Sequence, residues 1–224
     1  MKRWELERRV GLLLGESADS PFFGEPIWLR ETVIDATDQV AREADAWYTY
    51  FSLDIDGTTT PVSEVCLPDN LYKPKVVEVL SSTGQKTLLR EGVGLVTAAY
   101  LDRVLPNWKT APELGTPRYV AFARPILYLH PRPNYLKAAA VTVRGFAVPG
   151  RLWDTTKTAP GPSDEFPLAQ WAVDAVTYKA AELRCIQTGD GQRLGMITPR
   201  AREAQGIVNR LAGDSYSRLR KEWS

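Results

Sequence analysis

The residues of this 224-residue chain that could do chemistry are few, and each lacks a chemical partner nearby in sequence. His130 is the sole histidine, set in the run GTPRYVAFARPILYLHPRP from Gly115 to Pro133. A general base needs a proton partner within hydrogen-bond reach, and a metal needs further ligands. The flanking residues supply neither, so His130 reads as a half-buried strand histidine. Ser81, Ser82 and Thr83 form a turn without the Gly-x-Ser-x-Gly setting of a nucleophile. The glycine-rich TGDGQRLG, from Thr188 to Gly195, lacks the lysine and the strand-before-helix order of a phosphate loop. It reads as a turn between two helices. Asp54 and Asp56 precede a turn at Gly57 without the ligand ladder of a calcium loop. Cys66 and Cys185 lie far apart and read most simply as buried thiols, with a disulfide as the minority reading. The expectation is a protein without catalytic residues, metal or cofactor, and therefore not an enzyme.

Bulk composition agrees with a globular fold and narrows the partners. The formal net charge is only +1, so the chain lacks the basic excess of a dedicated polyanion binder. No apolar run approaches the roughly 18 to 20 residues needed to cross a bilayer, so no membrane partner is expected. Glu5 and Glu7 interrupt the short apolar run of MKRWELERRVGLLLG, which reads as a retained helix instead of a signal peptide. Charge is segregated along the chain. Residues 16–56 hold ten acidic side chains against Arg30 and Arg42, whereas residues 192–224 hold seven basic and three acidic ones. Opposite ends of that kind can be two solvated helix faces, or can bring copies or partners together.

The elements that must position these residues follow from periodicity. Trp4, Leu6, Val10, Leu13 and Leu14 fall near one face of a first helix. A second helix, entered at Pro26, carries Ile27, Val33, Ile34, Val40, Ala41, Ala44 and Trp47 on its apolar stripe. Glu31, Asp35, Asp38, Arg42 and Asp45 fall on its opposite face. From Thr49 the period becomes two, and YTYFSLDI, VSEVCLP, KVVEVL, KTLLR, YVAFA, ILYLH and AAAVTVRGF read as short strands between turn signals. VTAAYLDRVLPNW holds one or two helical turns. Tyr119, Phe122, Ile126 and Leu129 are expected to pack the sheet. Pro125, Pro131 and Pro133 belong at turns or edges, and would keep the sheet small. A central helix capped by Ser163 or Asp164 buries Phe166, Ala169, Ala172, Val176, Ala180 and Leu183. A last helix opens at Thr198-Pro199, lined by Ala201, Ala204, Val208, Leu211 and Leu219 and loosened by Gly206 and Gly213. The expected architecture is α+β: a helical bundle of residues 1–48 and 160–224 with an inserted antiparallel β module at 49–159.

The order of these segments carries a resemblance. A tryptophan-bearing helix and an acidic helix are followed by VCLPDNLYKPKVVEVL, then by Trp108, Gly115 to Tyr119, and Leu127 to Pro133. A strand toward VPGRLWD and the helix DEFPLAQWAVDAVTYKAAELRC complete the series. It resembles the head-to-tail adaptor (connector) proteins of short-tailed phages, tail tubular protein A-like, over roughly residues 3–210. In that family a Leu-Pro-x-Asp turn introduces the sheet. Here that position falls on Leu67, Pro68 and Asn70, with Asp69 one place early.

The resemblance implies a virion structural protein at the head–tail junction, assembled in the host cytoplasm. It implies a ring, dodecameric in the family, beneath the portal protein. That ring is a platform for a downstream nozzle or tube protein, with DNA only passing through its channel. Such a ring needs two unlike complementary faces per subunit. The acidic second helix and the basic carboxyl-terminal end could supply them. Residues 206–224 are expected to be the portal-docking element, ordered on binding. Arg210, Arg218, Arg220 and Lys221 would orient it, Leu219 and Trp223 would anchor it, and Tyr216 belongs to the same docking stripe. Two other readings compete: a nucleic-acid-binding protein using the Arg-rich end, and a β module that binds a carbohydrate or another small ligand.

Overall fold

A computed structural model describes residues 2–15, 27–55, 64–80, 86–110, 114–133, 139–149 and 166–222. The chain divides into two compact units, one of residues 1–47 with 147–224 and one of residues 48–146. Pro26, Asp56, Ser81 to Thr83, Ser163, Asp164 and Trp223 lie outside the described residues.

The first unit is helical. Helix α1 (Arg3–Leu13) is opened by Glu5, whose carboxylate accepts from the Lys2 N–H at 2.7 Å. It buries Leu6, Val10 and Leu14, spaced i, i+4, i+8, while Trp4 and Leu13 turn out to solvent instead of joining them. Helix α2 (Ile27–Ala44) buries Leu29, Val33, Ala36, Val40 and Ala41 and exposes Glu31 and Asp35. A 3-10 turn (Gln170–Ala172) leads into α4 (Val173–Thr188), so the central helix starts later than its capping signals suggest. The residue before Pro167 is biased toward extended backbone, which delays helix entry. Helix α4 buries Val173, Val176, Ala180, Ala181 and Cys185 and packs against α1, α2 and the last helix, α5 (Gly191–Glu222). Gly189 ends α4 in the left-handed region at φ 71°, where glycine carries no Cβ penalty.

The second unit holds β1 (Tyr48–Ile55), β2 (Glu64–Cys66), β3 (Leu71–Leu80), β4 (Lys86–Glu91) and β5 (Gly94–Thr97). Helix α3 (Ala98–Val104), β6 (Leu114–Gly115), β7 (Tyr119–Ala123), β8 (Ile126–His130), β9 (Arg132–Pro133) and β10 (Ala139–Ala147) follow. Eight strands make one sheet in the order β1-β10-β3-β4-β5-β7-β8-β2, and β6 pairs with β9 apart from it.

This overturns the expected helical bundle with a small antiparallel insertion. The protein is mixed α and β, strands are a major part of it, and the sheet is itself mixed: β5 runs parallel to both β4 and β7. Between β4 and β5 the chain makes a tight turn. Gly92 and Gly94 take φ values of 81° and 86°, and Arg90 and Val93 exchange two backbone hydrogen bonds of 2.9 and 2.8 Å. A side chain is excluded at Gly94, because a Cβ would lie 2.5 Å from Leu89 Cδ2 and 2.8 Å from the Arg118 carbonyl. Pro125 and Pro131, both following cis peptide bonds, sit at the two ends of β8, where no ladder donor is needed. They do not keep the sheet small, because six more strands lie beyond β7 and β8.

Candidate functional site

The expected docking end is built on α5, which is longer than its sequence signals suggest. Asp190 caps it, Oδ1 accepting from the Arg193 N–H at 3.0 Å and Oδ2 lying 3.5 Å from the Arg193 guanidinium. Thr198, expected to cap a helix, instead donates its hydroxyl to Glu182 Oε1 on α4 at 2.9 Å. With its hydroxyl used between helices, Thr198 leaves Pro199 inside α5, on its exposed side. An interior proline costs a helix about 3 kcal/mol, and burial of Ile197 and Ala201 on the adjoining turn offsets it. The buried stripe continues through Ala204 and Val208 to Ala212.

Helix α5 does not break at Gly206 or Gly213. The Ser215 and Ser217 hydroxyls each donate to the carbonyl four residues back, Leu211 and Gly213, at 2.9 Å. Arg210 is exposed and Tyr216 half-buried on this helix. Arg218, Leu219, Arg220 and Lys221 lie in its final turn, with side chains outside the described residues, as is all of Trp223.

Beside α5 runs a polar groove of about 380 Å³, lined by Glu43 of α2, Lys179 and Glu182 of α4, and Arg202, Gln205 and Asn209 of α5. Lys179 holds Glu182 at 3.1 Å, and Gln205 donates to Asn209 at 2.9 Å. Thr198 and Lys179 between them engage both oxygens of the Glu182 carboxylate. None of these groove residues was singled out from sequence. The i, i+3 spacing of Lys179 and Glu182 on one helix was the available signal.

The second unit has a smaller cup of about 170 Å³, lined by Glu64, Trp108, Lys109, Tyr128, Leu129 and Arg132. Trp108 is 6% exposed and packs with Leu101 and Ala121. Its indole N–H donates to Asp102 at 2.8 Å, its ring meets Tyr128 edge-on at 5.3 Å, and the Lys109 ammonium lies 5.1 Å from its centroid. Leu129 is buried as expected, but Tyr119, Phe122 and Ile126 are only half-buried, while Val120, Ala121 and Leu127 are buried in their place.

His130 is buried at the end of β8 with its ring 6.5 Å from Trp108, more enclosed than a half-buried strand residue. Its carbonyl accepts from the Arg118 N–H at 2.9 Å. The Asp54 backbone belongs to β1, and its side chain is outside the described residues. Cys66 is exposed on β2, against the expectation of a buried thiol; Cys185 is buried. Burial raises the Cys185 thiol pKa, Asp190 adds to the rise, and Arg193 opposes it, so the thiol is held protonated and poorly nucleophilic. Among the described residues no three His, Cys, Asp or Glu side chains come together as a metal site. No helix among the described residues is long and apolar enough to cross a membrane. No protein-family model matches the chain, and no curated protein is significantly similar to it.

Proposed function

We propose that the chain is a structural protein of a phage virion, a head-to-tail adaptor that forms a ring beneath the portal protein and carries the next tail component. The observation that carries this reading is the ordered series of segments, which resembles that of such adaptors. Two of them lead into strands of one unit, Leu67 to Asn70 into β3 and Gly115 to Tyr119 into β7, and Leu127 to Pro133 runs along β8 and β9. The length of α5 supports a docking role, since among the described side chains the last buried one is Ala212 and ten helical residues follow it. Arg210 and the basic final turn give that end the charge to meet an acidic surface.

Deletion after Asp214 tests the reading. It removes the half-buried Tyr216 and the basic final turn but no member of the stripe that ends at Ala212, so the truncated chain keeps nearly the full melting temperature. It loses binding to portal rings in negative-stain images, whereas the intact chain binds. Docking by the truncated chain removes the role of α5, and an intact chain that never associates with portal rings removes the adaptor reading. Salt-sensitive DNA binding by the isolated monomer would favour the nucleic-acid reading instead.

A further inference from the structure

Helix α1 is apolar on two sides. Its inner side buries Leu6, Val10 and Leu14, yet Trp4 is 50% exposed, Leu12 56% and Leu13 36%. Trp4, Arg8 and Leu12 follow one another at i, i+4, i+8, so they form a ridge about 12 Å long on the outer side. Arg8 is exposed and makes no ion pair among the described residues, and Arg9 reaches only an exposed Asp174 at 3.7 Å. A half-exposed tryptophan and a leucine flanking an unpaired arginine have the composition of an interface centre. A helix whose apolar residues face both ways is ordinarily covered on both sides.

The same chain presents the complement. On α2, Glu31 and Asp35 are exposed, one turn apart, and form no ion pair among the described residues. The half-buried Ile34 lies beside them as an apolar spot. Like charges one turn apart repel until a cation meets them. We propose that the Trp4–Arg8–Leu12 ridge of one copy docks on the Glu31–Asp35 face of α2 in a second copy. Arg8 reaches the carboxylates, and Trp4 and Leu12 close over Ile34. The two faces are unlike, so the contact is head-to-tail and repeats from copy to copy. The inference is independent of the adaptor reading, because a self-associating chain that never meets a portal satisfies it.

The test is sedimentation velocity of the full chain over a range of concentrations, in low and high salt. The intact chain associates, more weakly in high salt. Arg8→Glu and Asp35→Lys each weaken association about tenfold or more. Mixing the two variants restores it, because Glu at position 8 of one then meets Lys at position 35 of the other. Both sites are exposed, and unchanged far-ultraviolet circular dichroism confirms folding. Leu12→Ser is the second probe of the ridge should a charge reversal fail to fold, and it too weakens association. An intact chain that stays monomeric, variants that associate as the intact chain does, or a mixture that is not rescued overturns the proposal. So does a monomer whose ridge binds an oligonucleotide instead.

Discussion

Replacing Gly206 and Gly213 with alanine decides whether α5 is one helix in solution. The sequence reading has these glycines loosening the chain, whereas the structure carries the helix through both to Glu222. Each is exposed, and a Cβ built at either meets nothing within 4 Å. A methyl group therefore adds no clash and fills no buried space, so its effect is the backbone term alone. That term is about 1 kcal/mol in favour of alanine at an interior helix position. The two sites are about 10 Å apart along the axis and should add, giving about 2 kcal/mol together. For a chain of this size that is a rise in melting temperature of about 4 to 8 °C. Urea and thermal unfolding followed by far-ultraviolet circular dichroism would measure it. No change, or a loss of stability, would refute the reasoning, because it would mean that the native chain bends or breaks at one of these glycines.

Other perturbations probe the two units separately. Trp108→Ala removes the centre of the cluster with Leu101 and Ala121 and should cost about 3 to 5 kcal/mol, melting the β unit. Loss of amide protection confined to residues 48–146 is the expected hydrogen-exchange result. Gly145→Ala should be severely destabilising, since its Cβ would overlap the Lys73 carbonyl and lie 2.8 Å from Pro74 Cα; normal soluble expression and melting would contradict the close approach of β10 to β3. For Cys185, whose pKa is raised by burial first, the sign follows from linkage. An unfolded thiol ionises from about pH 8.5 while the native one keeps its proton. Its contribution is complete below that pH and is lost as pH rises toward the native pKa. Cys185→Ala should flatten that alkaline decline in unfolding free energy, and a thiol reagent should modify Cys66 well before Cys185 in the native chain.

What the sequence legibly carried was local. Helices α2 and α4 announce themselves because a helix repeats its buried face every three or four residues, as Val33, Val40 and Ala41 or Val176 and Ala180 do. The stop at Gly189 was legible because a left-handed residue after a helix favours glycine. Seven of the strands between Tyr48 and Ala147 were visible through their alternation and turn residues, whereas the short β5, β6 and β9 were not. Of the candidate site, the basic end of α5 was legible from composition, while the groove beside it was not, since its lining comes from three helices.

By itself, then, the sequence determined which stretches could be helix or strand, where charge of each sign collects, and that no familiar catalytic motif is present. Tertiary structure decided the rest, because the deciding partners are distant in the chain. Thr198 became an interhelical donor only because Glu182 of α4 lies opposite it, and Asp190 caps α5 in its place, so that the helix starts at Gly191. Leu13 of α1 turned outward because α4 covers the side that holds Leu6, Val10 and Leu14. The sheet became large and mixed because β5 aligns parallel with β7, a pairing set by Leu95 opposite Val120 and Thr97 opposite Phe122. Alternation along a strand says which residues share a face; it carries no information about which strand lies alongside, or in which direction it runs.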